Sequence, residues 1–363
     1  MSVPPHAPQR STRRTVLCAL ATLVLSGCQD LAAPLAPVVP DQPVAAANPS
    51  GSLVVKSVQG LQPYPGSDLN YGKAFGVNDA GLVAGESIVG MSPIAHVHAM
   101  VWEGGFYPTD LGTMGGTYSS AKAINNSSTI VGESSSAAGD RHAVMWVKVD
   151  GTWQIFDLGK VENSDFTSAT DIADDGTVVG YGSTPTGVRS FIWRNGVMSD
   201  FGPEVSRAFG VNDLGQVVGM GDVALQHAVL WSESGGITDL GAVGFADDIN
   251  GSGEVAGYYV PSPGIAGAFL WTAQKGLRPL GSLGGTDSYA YAINRTGVIV
   301  GQSDIAAGPS HAFAWSKGKM LDLGVLPGYT RSAALAINDG SKVVGTSGTE
   351  NDGEFRATVW TLK

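Results

Sequence analysis

A ten-residue phrase of the type AINDGSKVVG (336–345) recurs seven times along the 363 residues, and this repetition limits the possible folds more than any other feature. Its asparagine stands at Asn78, Asn125, Asn212, Asn250, Asn294 and Asn338, and Ala173 takes its place once. Seven positions after each comes a glycine: Gly85, Gly132, Gly180, Gly219, Gly257, Gly301 and Gly345. Three positions before the aliphatic residue that precedes the asparagine there is always alanine: Ala74, Ala121, Ala169, Ala208, Ala246, Ala290 and Ala334. Each copy then reaches a tryptophan (Trp102, Trp146, Trp193, Trp231, Trp271, Trp315 or Trp360), usually within HAxxW. Most copies close with DLG, at Asp110, Asp157, Asp239 and Asp322, or with a relative such as DFG at Asp200 or PLG at Pro279. Successive copies are 38 to 48 residues apart.

One copy supplies four short β-prone runs. SAxAIN and xVVGES flank NDxG, whose asparagine can bond its own backbone and whose glycine can take the left-handed conformation that ends a type I turn with a bulge. HAFAW and KMLDLG supply two more runs, so each copy is expected to be a four-stranded antiparallel meander. A sheet that small cannot bury both faces alone, whereas copies stacked radially cover one another. The seventh copy stops at RATVWTLK without its last strand, and a spare run, SLVVKSVQG (52–60), precedes the first copy. The expectation is therefore an all-β fold: a seven-bladed β-propeller of four-stranded antiparallel blades, closed by an N-terminal strand that completes the last blade. The invariant alanines suit crowded first strands near the axis, and the tryptophans suit the wider outer gaps.

The pattern AINxxGxVVGxS…HAFxWxxGxMxDLGxLGG is similar to that of the HAF repeat proteins, named for the triplet seen here as His311, Ala312 and Phe313. The resemblance spans 53–363 and implies bacterial secretion and a propeller-like fold, with no particular reaction. Copies three, five and seven depart from it, with Arg189, Gly267 and Arg356 where histidine would stand.

The N-terminus carries Arg10, Arg13 and Arg14, then an apolar run from Thr15 to Leu25, too short to span a bilayer, then LSGC ending at Cys28. LSGC resembles a bacterial lipobox. This implies removal of 1–27 and lipidation of Cys28, with export by the general secretory route or, from the TRRTVL match, the twin-arginine route. An Ala/Pro-rich stretch over 28–52 reads as a tether holding the repeat domain, 53–363, off the membrane. Cys18 and Cys28 are the only cysteines, so the repeat domain has no disulfide, thiol nucleophile or cysteine zinc site. The formal charge of −11 becomes −14 once the three leader arginines are removed, and that repels nucleic acid.

His98, His142, His227 and His311 hold equivalent positions, so symmetry spreads them apart and favours a hydrogen-bonding role over metal ligation. The DLG aspartates read as turn formers, and the NDxG turns lack the ligand pattern of an EF-type calcium loop. DFG at Asp200 shares only its letters with kinases. Asp171 and Asp248 replace small residues near the axis. Either a water-filled channel or a neighbouring copy's backbone would receive them, and the second is the simpler.

Function is expected where the copies differ. Tyr118, Arg141, Tyr259, Asp287, Tyr329 and Arg331 fall in variable loops at one end and are the candidate ligand-binding residues, since tyrosine and arginine anchor sugars and protein surfaces. No catalytic residue, metal site or cofactor is expected. The chain reads as a monomeric, lipid-anchored envelope or cell-surface protein that binds protein or carbohydrate. A polysaccharide lyase or glycosidase, or a purely structural surface protein, is the alternative.

Overall fold

The computed structural model describes residues 53–66, 71–91, 95–104, 107–201, 205–221, 226–349 and 353–363, so the leader, Cys28 and the whole of the tether lie outside it. Among the described residues every regular element is a β-strand. Copy six shows the unit most plainly. Strands Gly284–Ile293, Ile299–Ile305, Ser310–Ser316 and Lys319–Gly324 pair in sequence order as an antiparallel sheet. The other copies follow this plan, with three variations. In copy one the last strand shrinks to Thr109–Asp110. Strand Gly236–Ile249 serves copy four with its first half and copy five with its second, bending at Gly241 and Gly244, where φ is positive. In the last copy, strand Val55–Gly60 pairs with Phe355–Leu362, and Val58 stands opposite Trp360.

Both invariant small residues follow from one irregularity. In every copy the alanine pairs with the glycine, as Ala74 with Gly85 and Ala290 with Gly301, and the register then slips by one residue. This bulge pushes the carbonyl before the alanine toward the opposing strand. A Cβ on Gly301 would come 1.9 Å from Tyr289 O, so no other residue fits there. All seven alanines are fully buried.

The first strands stand side by side, each beside those of the copies before and after it, and Gly72–Val77 neighbours both Gly115–Ile124 and Arg331–Ile337. A Cβ on Gly76 would be 3.2 Å from Ala123 Cα, which shows how closely these backbones approach. The core accordingly lies between meanders. Ala99 and Val101 of copy one pack with Ala121 and Trp146 of copy two, and Val344 and Ala357 of copy seven pack with Ala74 and Trp102 of copy one. Phe191, Phe269 and Phe313 have no exposed surface, and burial of such a ring contributes roughly 1.5–3 kcal/mol. Trp102, Trp146, Trp315 and Trp360 are buried, whereas Trp193, Trp231 and Trp271 are half-exposed.

The turns join neighbouring copies. Within copy six, Gly297 N donates to Asn294 O (3.0 Å), and Asn294 Oδ1 accepts from Val298 N (3.0 Å) as well as from Thr296 N, two residues on. The side-chain amide is left to face outward. Asn78 Nδ2 donates to Asn125 O, Asn125 to Ala173 O, Asn212 to Asn250 O, Asn250 to Asn294 O, Asn294 to Asn338 O, and Asn338 to Asn78 O, all between 2.9 and 3.2 Å. A second row runs one residue later, in which the backbone N–H donates to the next copy's carboxylate or amide oxygen: Asp79 to Asn126, Asn126 to Asp174, Asp174 to Asp213, Arg295 to Asp339, and Asp339 to Asp79. Ala173 breaks the first row where Asp174 holds the second. Gly251 and Arg295 break the second where Asn212 and Asn250 hold the first. No junction loses both.

Restoring the missing amide is expected to strengthen one of the three junctions that keep a single row. Ala173→Asn should raise stability by about 1 kcal/mol, read as an increased urea midpoint at constant slope. A lowered midpoint would mean that the Asn212 carbonyl is out of reach.

Candidate functional site

The row of first strands has two ends of different character. At the turn end, the asparagines and their neighbours surround a depression of about 190 Å³ lined by Asn78, Asp174, Asn250, Arg295 and their equivalents. The asparagine amides there are engaged by adjacent copies, so the end is built mainly to hold the copies together. At the opposite, entry end, the residues on either side of each invariant alanine are half-exposed, apart from buried serines, and differ from copy to copy. They are Lys73 and Phe75, Ser120 and Lys122, Ser168 and Thr170, Arg207 and Phe209, Phe245 and Asp247, Tyr289 and Tyr291, Ala333 and Leu335.

Charged groups dominate the entry end in copies seven, one and two. Tyr71 Oη and Ser120 Oγ donate to the two oxygens of Glu86, at 2.8 and 2.7 Å. Tyr118 Oη donates to Glu133 (3.0 Å), which also meets Arg141 at 3.6 Å and Lys122 at 3.7 Å. The Arg141 guanidinium lies 4.6 Å from the centre of the Tyr118 ring. Lys73 lies over Phe355 at 4.6 Å, Arg331 over the same ring at 5.0 Å, and Lys122 over Phe75 at 4.8 Å. Burial, reinforced by the nearby glutamates, pushes the Tyr71 and Tyr118 phenols far up, so both remain donors at any ordinary pH.

Aromatic rings dominate in copies three to six. Phe166, Tyr181, Phe209, Phe245, Tyr258, Tyr289 and Tyr291 touch in succession, with centroids 4.8 to 6.3 Å apart. Arg207 lies over Tyr181 at 5.7 Å. Deeper along the same strands, Asp171 accepts from Val211 N and Asp248 from Ile293 N, both at 2.8 Å, so each binds the next copy's backbone. Burial pushes Asp171 up to about 7, helped by the charge of Asp248, while Asp248 itself is pushed up to about 6 by burial. Asp247 is also raised, by burial first and by Asp248 second, and its Oδ2 has no hydrogen-bond partner among the described residues.

Three of the six expected residues, Tyr118, Arg141 and Arg331, join the charged part of this end. The other three take on different tasks. Tyr259 covers Gly267, where a Cβ would come 2.7 Å from its ring, and packs beside Phe269 and Leu230. It occupies the space that the histidine fills in other copies. Asp287 accepts from Ala266 N at 3.2 Å. Tyr329 sits half-buried near Arg356 and Glu354, and its phenol is raised chiefly by burial. The rings Phe209, Phe245, Tyr289 and Tyr291 escaped notice in the sequence because they stand inside the conserved phrase rather than in a loop. Their signal was variation directly beside an invariant alanine.

The histidines and DLG aspartates form a repeated pair. Nδ1 of His98, His142, His227 and His311 meets a carboxylate oxygen of Asp110, Asp157, Asp239 and Asp322 at 2.7–2.9 Å. Each aspartate also accepts from the glycine two residues on, as Asp239 does from Gly241. Copy three replaces only the histidine, whereas copies five and seven change both positions. Arg189 meets Asp200 at 2.9 Å, Gly267 accompanies Pro279, and Arg356 lies against Gly60, where a Cβ would come 3.3 Å from it. Among the described residues no group of three metal-ligating side chains converges.

No family model matches the chain, and no curated protein matches it in sequence. Solved structures do resemble it. The β-propeller domain of the Trilobed protease from Pyrococcus furiosus, described as having an open velcro topology, aligns with a TM-score of 0.54 at 11% identity, over 81% of this chain and 95% of that one. The acylaminoacyl peptidase of Pyrococcus horikoshii aligns at 0.49 with 13% identity, over 82% of this chain and 54% of that one, so the match spans about half of the peptidase. A gluconolactonase from Xanthomonas campestris aligns at 0.38 with 12% identity, over 90% of this chain and 99% of that one. At such identities the first likeness shows the fold alone: this is an all-β chain of β-propeller type.

The raised carboxyls set the sign of a pH effect. Between the unfolded value near 4 and the folded values, the folded protein holds protons that the unfolded chain has lost, so this contribution to stability falls as pH rises. The urea midpoint should therefore increase on going from about pH 8 to about pH 5, and Asp171→Asn with Asp248→Asn should flatten that slope. An unaltered slope in the double variant would assign the effect to other groups.

Proposed function

We propose that this protein is a lipid-anchored envelope module of the HAF repeat type, a closed seven-bladed propeller that binds carbohydrate at its entry end without transforming it. The observation that carries this reading is the contrast between the two ends. At the turn end the copies agree, and their polar groups bind one another. At the entry end they differ, and present half-exposed rings beside cations. Broad aromatic faces with a few polar anchors are what a sugar-binding surface requires. Closure is supported by the hydrogen bond from Asn338 to Asn78, by the apolar cluster shared between copies seven and one, and by the pairing of Val55–Gly60 with Phe355–Leu362. Anchoring is supported by the LSGC motif and the tether, and the chain acts there as a monomer.

An enzyme acting on an extracellular polymer is the second reading, and the two buried carboxyls with raised pKa, Asp171 and Asp248, are what favours it. Against it, each carboxylate is already bound to backbone N–H groups of its own and the next copy, which is a structural arrangement rather than one poised on a substrate.

Two experiments test the proposal. Deleting residues 53–60 should lower stability by about 3 kcal/mol or more, since it strips a strand from the last sheet, whereas an equal deletion within the tether should have no effect. An unchanged melting curve would refute closure by this strand. Membranes from cells making the full chain should retain labelled oligosaccharides at unaltered length, and Cys28→Ser should shift that retention to the soluble fraction. Tyr289→Ala should weaken it by roughly tenfold. Shortened oligosaccharides would establish the enzyme, and retention that stays with membranes in Cys28→Ser would refute lipid anchoring.

A further inference from the structure

We propose that the saccharide recognised at the entry end is acidic: a run of sugar rings bearing carboxylate or sulfate groups. This rests on the carbohydrate-binding reading and narrows it.

The argument begins with cations that lack counter-ions. Acidic residues outnumber lysine and arginine by 32 to 21 in this chain, so a basic side chain should find a carboxylate easily. Lys122 and Arg141 do so, at Glu133. Lys73, Arg207 and Arg331 do not: among the described residues none of the three has an ion-pair partner, and each lies over a ring, of Phe355 or Tyr181. Nε of both Arg207 and Arg331 is buried without an acceptor. A buried guanidinium N–H left unpaired is costly, and such groups in a folded protein call for an explanation.

The geometry suits a particular kind of acceptor. A guanidinium lying over a ring has one face covered, and with Nε enclosed in the protein its terminal amino groups are the part that grips a carboxylate or sulfate. Arg207 stands where the aromatic row begins, beside Tyr181 and Phe209, while Lys73 and Arg331 stand in copies one and seven. A ligand that satisfies all of them carries several negative charges separated by flat apolar faces. An acidic oligosaccharide has that composition. An acidic peptide brings the charges without the ring faces and is the competing outcome.

Titration of the full-length protein tests this with four probes: an oligogalacturonate, a chondroitin sulfate oligomer, the carboxyl-reduced form of the first, and an oligoglutamate. The expected result is that at least one acidic sugar binds roughly tenfold or more tighter than the reduced form, with affinity falling as salt is raised. Arg207→Gln and Lys73→Gln should each lower that affinity by roughly tenfold at an unchanged melting temperature, and Arg207→Lys should recover part of it. Galacturonate and chondroitin sulfate distinguish carboxylate from sulfate recognition. Equal affinity for the reduced sugar would overturn the acidic class and leave the carbohydrate-binding reading intact. Tighter binding of oligoglutamate, or no binding of any sugar, would overturn both.

Discussion

A sheet of four short strands has two apolar faces and the means to cover neither, and the rest of this structure follows from that constraint. Each face must be covered by the next copy, so the core is divided among the junctions, with Ala121 and Trp146 of one copy against Ala99 and Val101 of another. Such packing keeps a fully buried alanine at the bulge of every copy, and no side chain at all at the glycine opposite it. Apolar contact alone is indifferent to sliding. The two rows of hydrogen bonds at the turn end supply the register, the first made by asparagine side chains that also shape their own turns.

Those rows explain why the repeat tolerates its own exceptions. Ala173 lacks the amide of its counterparts, yet Asp174 and Asp213 keep that junction joined. Gly251 lacks a side chain, and Asn212 bonds to the Asn250 carbonyl instead. Redundancy of this kind leaves each copy free to vary at one of two positions. The histidine–aspartate pair shows the reverse. Losing one member would leave the other without a partner: in copy three Arg189 takes the histidine's place on Asp200, and in copy five both positions change, to Gly267 and Pro279, with Tyr259 covering the glycine.

The entry end carries what the junctions leave free. Its half-exposed positions flank the invariant alanine, where the side chain is not needed for packing and so can differ among copies. Rings gather in copies three to six and cations in copies seven, one and two, which gives an otherwise regular repeat a distinct orientation. Asp171 and Asp248 lie just below, their carboxyls raised by burial and bound to neighbouring backbone N–H groups.

The four-strand unit, its turns and the spare N-terminal run were all legible in the sequence, because they depend on residues within one period and on counting periods. Tyr118, Arg141 and Arg331 were expected in variable loops; they stand instead on strands Gly115–Ile124, Arg141–Val149 and Arg331–Ile337, among the charged groups of the entry end. What only the tertiary structure decided lies between copies: which carboxylate a histidine meets, that Tyr259 fills the place of a missing histidine, that Asp171 binds the backbone of Val211, and that rings from four copies touch. Those contacts join residues about forty positions apart, or strands that pair across a bulge, and their partners are set by how closely one sheet settles on the next. A repeat pattern states that neighbours are alike, while packing alone determines which of their atoms meet.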